Sequence, residues 1–273
     1  MTDETARNES NDNGDSTALR VDSLHKAFGS GRSETVAVDD VSFDVAPGES
    51  VALVGESGSG KTTIARILVG LERADSGAIT VGGHDIARPP RGRRERLRRA
   101  RAIQLVFQNP YGSLDPALTI ERGLLHALAL HQMPDRESRA AALLDRVGLG
   151  SRERQARPAT LSGGQLQRAA IARALCVEPE VLVLDEAVAA LDVSIQAQIL
   201  LLLDELRTDL GLTCVFISHD LAVVEAISDR IAVLRRGRLV EYGETTHVLR
   251  HPQDTYTQAL LDSVPRPGWV PSR

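Results

Sequence analysis

The stretch Gly55-Glu-Ser-Gly-Ser-Gly-Lys-Thr62 fits the phosphate-loop pattern G-x-x-x-x-G-K-[ST] and decides the fold. A β-like run, Ser50–Val54, leads into it, and a helix-like run over residues 63–69 leads out. The three glycines allow the main chain to curl so that successive N–H groups and the helix N-terminus point at one anionic centre. Lys61 can then reach terminal phosphates, and the Thr62 hydroxyl can ligate Mg²⁺. The alternative is a glycine turn before a surface lysine, and the flanking strand and helix favour phosphate binding over it.

Length and composition indicate a packed globular body. The chain has 273 residues, of which 42% are hydrophobic. Its longest strictly aliphatic stretch covers residues 199–203, far short of the roughly 18 apolar residues that a membrane-spanning helix needs. Residues 1–16 are rich in Asp, Glu, Asn, Ser and Thr and lack the apolar stretch of a secretory signal. We therefore predict a disordered, uncleaved acidic tail over residues 1–17 and a cytosolic protein.

Cysteine and arginine placement suggests structural rather than chemical roles. Cys176 and Cys214 stand alone in apolar runs, without C-x-x-C spacing, so buried thiols are favoured over a disulfide or a zinc site. Eight arginines lie between Arg88 and Arg101 without interleaved aromatics. A solvated helical face is the favoured interpretation of that run. With a net charge of −5, we expect no nucleic acid partner, and contact with anionic lipid is equally disfavoured.

The order of apolar patterns predicts an α/β core. Four short runs rich in Val, Ile and Leu lack alternation, which is typical of strands buried on both faces. These runs cover residues 51–54, 181–184, 214–217 and 231–234. A helix is predicted from about Ser194 to Leu210, because apolar residues recur at spacings of three and four and Gly211 follows as a stop. Its predicted core face consists of Ile195, Ile199, Leu202, Leu203, Leu206 and Leu210.

Two further segments differ in character from this core. Residues from about 109 to 160 are rich in alanine, leucine and arginine at helical spacing, broken by Pro134 and Gly148, and indicate an inserted helical subdomain. Residues 251–273 hold four prolines and end polar, so we expect a C-terminal extension that is more tail than core.

Two adjacent carboxylates end one of the predicted strands. Asp185 and Glu186 follow the apolar residues 181–184, where buried charge would be costly unless a cation or polar substrate met it. In a nucleotide hydrolase the first acid supports Mg²⁺ and the second orients and deprotonates an attacking water. The alternative is a strand that ends at a solvated loop, and the phosphate loop upstream favours the site.

A second candidate anion site lies at Leu161-Ser162-Gly163-Gly164-Gln165, directly before a helical run. Ser162 can cap that helix, and the two glycines let main-chain N–H groups approach an anion closely.

Together the phosphate loop, LSGGQ, the strand ending in Asp185-Glu186 and Ile217-Ser218-His219-Asp220 resemble the nucleotide-binding subunit of an ATP-binding cassette (ABC) transporter. The resemblance runs from about Ala18 to the C-terminus, and LSGGQ is its most discriminating part. It implies a phosphate-loop NTPase fold over residues 18–250, with a mostly parallel core sheet, an antiparallel β part and the inserted helical subdomain.

The resemblance also implies ATP and Mg²⁺ as ligands and a head-to-tail dimer with each ATP between two subunits. Nucleotide contacts would come from Gly55, Glu56, Ser57, Gly58, Ser59, Gly60, Lys61, Thr62 and Thr63, with Phe28 stacking on adenine. Thr62, Gln108 and Asp185 would serve the metal, Glu186 would be the general base, and His219 and Lys61 would act at the γ-phosphate. Ser162, Gly163, Gly164 and Gln165 would complete the opposite site, with Asp192 beside it across the dimer. For Phe28 a buried core position is nearly as well supported, and a lone histidine such as His219 is more often structural.

One departure from the family pattern follows the carboxylates. The family often has proline and serine where this chain has Ala187 and Ala189, a change that could weaken a hydrogen bond there. Because the catalytic residues are all present, we predict that hydrolysis survives.

Further stretches resemble the oligopeptide, dipeptide and nickel importer branch of the family. They cover residues 107–116, 190–198 and 251–265, and no cysteine cluster of the iron–sulfur subunit type follows. This resemblance implies a peripheral subunit on the cytoplasmic face of the membrane. Its partners would be integral membrane permease subunits, a second ABC ATPase and, indirectly, an extracytoplasmic solute-binding protein. The alternative is a soluble ABC ATPase acting on DNA or the ribosome, but such proteins resemble tandem cassettes or carry coiled-coil or zinc insertions. A nucleotide-binding regulator without turnover would need a lost base or lysine.

Overall fold

Two sheets organise the part of the chain that the structure describes. The computed structural model describes residues 17–263, so most of the predicted acidic tail lies outside it. The strands are β1 Leu19–Phe28, β2 Thr35–Val45, β3 Ser50–Val54, β4 Ser76–Val81, β5 His84–Asp85, β6 Ile103–Val106, β7 Val181–Asp185, β8 Thr213–Ile217, β9 Arg230–Arg235 and β10 Arg238–Glu244. The helices are α1 Lys61–Leu68, α2 Arg93–Ala102, α3 Ile120–Leu130, α4 Arg136–Arg146, α5 Ser151–Gln155, α6 Gly163–Leu175, α7 Val193–Leu210, α8 Leu221–Ile227, α9 Thr245–Arg250 and α10 Thr255–Asp262.

The larger sheet has the order β10-β9-β3-β8-β7-β6. Every pairing from β9 to β6 is parallel, and β10 joins as an antiparallel edge strand. The smaller sheet, β2-β1-β4-β5, is antiparallel throughout. The predicted α/β fold with a mostly parallel core sheet and an antiparallel part is therefore confirmed, and the four predicted apolar runs are β3, β7, β8 and β9.

The parallel sheet separates two hydrophobic cores. Successive residues of a strand point to opposite faces. In β3, Val51 and Leu53 therefore pack with the antiparallel sheet and α1, whereas Ala52 and Val54 pack with the helices on the other face. The central strands are buried on both sides for this reason, which explains why they show no polar alternation.

The predicted long helix is α7, and it ends at Gly211, which takes the left-handed conformation with φ of 61°. Four of its predicted core residues are buried: Ile199, Leu202, Leu203 and Leu206. The expectation for Leu210 is wrong, since 46% of it is exposed. It lies in the last turn, beside Leu143 and Arg146 of α4 in an open surface groove rather than in the core.

Residues 109–160 contain α3, α4 and α5, and the two predicted breaks lie at the ends of α4. Pro134 precedes this helix, and Gly148 follows it with φ of 72°. α3 buries Ile120, Leu124 and Leu128 in the core that also contains α6 and α7. The assignment of this region as an inserted subdomain stays a prediction.

The C-terminal segment departs from its predicted tail character. Residues 255–262 form α10, in which Tyr256 and Thr257 are buried. The segment is held because Glu241 of β10 accepts hydrogen bonds from the main-chain N–H groups of Gln253 and Asp254. Proline content thus indicated a tail where a side-chain anchor makes an ordered element; residues 264–273 lie outside the described part.

The other structural expectations concern exposure. Most arginines of the run at 88–101 are exposed, and Ala102 is the one buried residue of α2, as predicted for a solvated helix. Cys176 and Cys214 are buried and free, as predicted. Among residues 17–263, no helix combines the length and apolar character needed to span a bilayer.

Candidate functional site

The phosphate loop owes its shape to glycines at two close main-chain approaches. Gly55 has φ of 146° and Gly60 has φ of 106°, values that favour glycine strongly. A β-carbon on Gly55 would overlap the carbonyl oxygen of Leu234, and one on Gly60 would overlap that of Ala37. The helix α1 begins directly after the loop with Gly60 as its N-cap and no side-chain cap, so its positive end faces the loop.

Lys61 lies folded into this loop. Its ammonium donates to the carbonyl oxygens of Gly55 at 2.7 Å and Glu56 at 2.8 Å, and 6% of the residue is exposed. Burial lowers the pKa of Lys61 below its usual value, and the carboxylates of Glu186 and Asp185 oppose that shift. A largely buried positive charge therefore lies at the loop, close to two acids.

The two acids stand at the carboxyl end of β7. Burial, and then the neighbouring charge of Glu186, raise the pKa of Asp185 above its usual value, while Arg66, Lys61 and a hydrogen bond with Thr62 act against this. Glu186 has φ of 48°, and its N–H donates to Ile217 at 2.9 Å. The strained turn is thus tied to β8, and it turns the second carboxylate away from the sheet.

The Glu186 carboxylate is held between two side chains from other motifs. Gln108 donates its Nε2 hydrogen to Oε2 at 3.0 Å, and Nδ1 of His219 lies 3.2 Å from Oε1. Gln108 follows β6 and His219 follows β8, the two neighbours of β7 in the sheet. Parallel strands bring their carboxyl ends to one edge, which explains how residues far apart in sequence meet here.

A cavity of about 680 Å³ lies over the loop. Its lining consists of Phe28, Ala37, Ser57, Gly58, Gly60, Lys61, Thr62, Thr63, Glu186 and His219. Phe28 is 41% exposed, so the alternative of a buried core phenylalanine does not hold. The Lys26 ammonium lies 4.9 Å from its ring centroid, a cation–π contact that fixes the ring at the cavity rim.

The LSGGQ residues do not line this cavity. Ser162 caps α6 by accepting from the N–H of Gln165 at 3.3 Å, while the Gln165 side chain accepts from the N–H of Ser162 at 3.0 Å. This capping box confirms the predicted cap. Gly164 approaches α7 closely, because a β-carbon there would lie 2.8 Å from Ile195. Asp192, at the N-terminus of α7, is exposed and makes no side-chain cap.

The donor set around the loop fits a nucleotide with a magnesium ion. Thr62, Asp185 and Gln108 offer hydroxyl, carboxylate and amide oxygens, the hard ligands that Mg²⁺ prefers. Among residues 17–263 no cluster of three or more His, Cys, Asp and Glu forms a metal cage.

Two contributions to the site were not predicted from sequence. Tyr256 accepts a hydrogen bond through its hydroxyl from the N–H of Glu56 at 3.1 Å. The carbonyl of Ala37 in β2 packs on Gly60. The motif containing Tyr256 was visible, but nothing in it indicated a contact with the loop, and Ala37 carries no sequence signal at all.

The loop, the paired carboxylates and the parallel sheet define a phosphate-loop nucleotide-binding domain. The family model described as ABC transporter matches residues 38–189, more than half of the chain. The chain therefore belongs to the ABC transporter family.

Curated relatives include the glutathione import ATP-binding protein GsiA of Pectobacterium atrosepticum and that of Escherichia coli K12. Each is 48% identical, over 232 and 235 residues respectively. The matches cover 84% and 85% of this chain but 37% of either relative, so the chain spans little more than a third of their length.

Similar solved structures share the fold. The cbiO1 protein of Clostridium perfringens, described as part of the ABC transporter complex cbiONQ, has a TM-score of 0.76 and 27% identity, covering 86% of this chain and 92% of that one. The ATP-binding cassette MJ0796, described as dimeric and bound to ADP and Pi in a post-hydrolysis state, has a TM-score of 0.72 and 27% identity. That match covers 83% of this chain and 98% of MJ0796.

Proposed function

We propose that this chain is the ATP-hydrolysing subunit of an ABC importer. ATP binding and hydrolysis would be coupled to uptake of di- or oligopeptides or a related small solute such as a nickel complex. The observation that carries the proposal is the Glu186 carboxylate, held between Gln108 and His219 at the cavity that Lys61 lines. A candidate base and a phosphate cradle meet there, and phosphoryl transfer to water needs both.

The residues of this chain divide the work between binding and proton transfer. The ammonium of Lys61 and the N–H groups of the loop would hold the terminal phosphates. Glu186 would accept a proton from the attacking water, and Gln108 and His219 orient its carboxylate for that purpose. Phe28 would stack on the base from the cavity rim. Thr62, Asp185 and Gln108 would hold Mg²⁺, which would supply neutralisation of phosphate charge.

A second nucleotide-binding subunit would complete the site. The helix N-terminus at Ser162 to Gln165 is solvent-accessible and lies outside the cavity. Its N–H groups and helix dipole could bind an anion. A nucleotide at the phosphate loop of the same chain would lie in a cavity that this helix end does not line. We infer that Ser162, Gly163, Gly164, Gln165 and Asp192 of one subunit face the nucleotide of another, in a homodimer or heterodimer. The dimeric state described for MJ0796 supports this arrangement.

The import role is supported by the relatives. The GsiA proteins are named as import ATP-binding proteins for glutathione, itself a small peptide. By this similarity the chain would bind permease subunits at the cytoplasmic face of the membrane and receive solute through an extracytoplasmic binding protein. The same similarity favours import over the alternative role on DNA or the ribosome. Residues 18–250 would form the nucleotide-binding domain, and residues 251–273 its extension.

The test is turnover by the purified assembly of this chain with its permease subunits and partner ATPase. Glu186→Gln should abolish hydrolysis and retain bound ATP, because the amide keeps the shape but cannot take a proton. Glu225→Gln, the same change at an exposed position on α8, is the matched control and should leave turnover unchanged. Wild-type turnover in the Glu186→Gln assembly would overturn the proposal.

A further inference from the structure

The phosphate loop is held from behind by the C-terminal helix α10. The hydroxyl of Tyr256 accepts a hydrogen bond from the N–H of Glu56, the second residue of the loop, across a sequence separation of 200. Tyr256 is 7% exposed, and the guanidinium of Arg235 lies 4.9 Å from its ring centroid. The contact therefore joins the end of the described chain to the part of the site that would receive phosphate.

One peptide group carries contacts from both sides of the loop. The carbonyl of Gly55 accepts from the Lys61 ammonium at 2.7 Å, and the N–H of the same peptide, that of Glu56, donates to Tyr256 at 3.1 Å. In a planar trans peptide these two groups point in opposite directions. Fixing the N–H towards Tyr256 consequently fixes the carbonyl towards Lys61.

The hydroxyl of Tyr256 has a defined position because α10 is itself anchored. Asp254 caps the helix by accepting from the N–H of Tyr256 at 2.7 Å. Glu241 of β10 accepts from the N–H of Gln253 at 2.8 Å and of Asp254 at 3.1 Å. The anchor therefore runs from the edge strand of the parallel sheet, through the helix start, to the loop.

The same edge of the sheet supports the loop at two more points. Gly55 packs against the carbonyl of Leu234 in β9, and Ser59 accepts a hydrogen bond from the N–H of Gly237 at 3.0 Å. Those contacts fix where the loop's ends lie, but neither sets the rotation of the peptide between Gly55 and Glu56. Lys61 holds the carbonyl of that peptide, and Tyr256 holds its N–H.

We propose that Tyr256 is a positioning residue for the nucleotide site, whose hydroxyl orients the peptide between Gly55 and Glu56 and so shapes the loop for phosphate. The inference rests on the proposed function and extends it, since it gives the C-terminal extension a part in nucleotide affinity. It implies that whatever displaces α10 also weakens the hold of the loop on phosphate.

Equilibrium binding by the full chain tests the proposal, with a fluorescent ATP analogue and inorganic triphosphate as separate probes. Tyr256→Phe keeps the ring and removes one neutral hydrogen bond, so affinity for both probes should fall about fivefold. Tyr242→Phe is a matched control, because this tyrosine also has an arginine over its ring, Arg230, and bonds through its hydroxyl to a main-chain carbonyl, that of Asp44, but does not touch the loop. The Tyr242→Phe variant should bind both probes with wild-type affinity.

The triphosphate probe separates the loop from the base pocket. Phe28→Ala should weaken the ATP analogue and leave triphosphate unchanged, whereas Tyr256→Phe should weaken both equally. Tyr256→Phe with wild-type affinity, or a loss matched by Tyr242→Phe, would overturn the inference while leaving the proposed function intact. A wild-type chain that binds neither probe, with Lys61→Ala indistinguishable from it, would instead overturn the proposed function.

Discussion

The phosphate-loop face and the LSGGQ face of this molecule are built in opposite ways. The phosphate loop is contacted by β2, by β9, by the turn at Gly237 that follows β9, and by α10. Lys61 of the loop is buried. The LSGGQ segment has fewer such supports: Ser162 and Gln165 bond to each other, Gln165 also donates to Glu153, and both remain accessible. The phosphate loop is therefore supported by several elements of the same chain, whereas the LSGGQ segment is a capped helix end that is open to solvent.

This difference between the two faces predicts whether a single chain can bind nucleotide and whether it can turn it over. A pre-shaped loop can bind nucleotide without a partner, since its cost of ordering is met on folding. An exposed helix N-terminus contributes only when another surface brings an anion to it. Binding should therefore belong to the single chain, and turnover to the assembled pair.

The largest separation of the two faces is expected from Lys61→Ala. Loss of a charged donor at the phosphate site should weaken ATP binding by the isolated chain at least roughly a hundredfold. Ser162→Ala should leave the same binding constant within about twofold, because Ser162 does not line the cavity. Titration calorimetry on both variants measures this, and equal losses would erase the distinction between the faces.

Gly164→Val addresses the open face. A β-branched side chain there would collide with Ile195 and displace the start of α6 from α7. ATP binding by the single chain should persist, while turnover of the assembly falls roughly tenfold or more through misplacement of the opposing cap. Gly112→Val, at a glycine with open space around it, is the control. Normal turnover with Gly164→Val would show that this face takes no part.

The two thiols lie in the same hydrophobic core, which contains α6 and α7, and they affect its stability at alkaline pH. Cys214 lies in β8 and Cys176 is the C-cap of α6, and burial raises the pKa of each to about 12 from 9.0. The unfolded thiols ionise first, so their contribution to stability is complete below pH 9 and is lost between pH 9 and 12. At pH 10 the loss should be about 1.4 kcal/mol per thiol.

Urea unfolding of the full chain at pH 8 and pH 10 measures that loss. Cys214→Ala and Cys176→Ala should each remove about half of the thiol-dependent difference, although each also lowers stability at both pH values by leaving a small cavity. A pH difference that survives unchanged in the double variant would show that other groups cause it.

A smaller effect is expected from the cap itself. Ser162→Ala removes the oxygen that receives the N–H of Gln165, and should lower the free energy of unfolding by about 1 kcal/mol. Asp220→Ala, which removes the cap of α8, should cost a similar amount. Of the two, Ser162→Ala alone should also impair ATP-dependent association of subunits, as followed by light scattering.

The smallest effect is expected where the chain departs from its family. Ala189 is exposed, and its N–H closes the turn onto the carbonyl of Glu186 at 3.1 Å, a bond that needs no side chain. Ala189→Ser should therefore change turnover by less than about twofold. A large gain would mean that the alanine at 189 weakens the site.

Local patterns were sufficient to predict the parts of this fold that are built from neighbours in sequence. The unbroken apolar runs indicated buried parallel strands, and the glycine spacing indicated the loop, because both consequences are local. Asp185 and Glu186 were likewise predicted at the end of an apolar strand, and they stand at the end of β7. In contrast, Leu210 follows the helical period of α7 but lies in an open groove, since the periodicity does not show where a helix leaves the core.

Long-range contacts through the main chain left no readable pattern. The carbonyls of Ala37 and Leu234 meet the loop through atoms that every residue possesses, so no residue type announces them. The sequence did not predict that α10 would be an ordered helix in contact with the loop, and the reason is different. Prolines at both ends suggested a tail, whereas hydrogen bonds to Glu241 and the burial of Tyr256 and Thr257 hold an eight-residue helix in place.

The carbonyl of Ala37 approaches Gly60 closely, and this contact determines which parts of the fold meet at the cavity. The antiparallel sheet meets the loop between β3 and α1 at Gly60, so the cavity is lined by Phe28 and Ala37 of one sheet and by the loop that follows a strand of the other. A nucleotide bound in this cavity would contact residues on both sides of that junction. Bound nucleotide should therefore hold the antiparallel sheet against the phosphate loop, and proteolytic cleavage along β1 and β2 should slow when the cavity is filled.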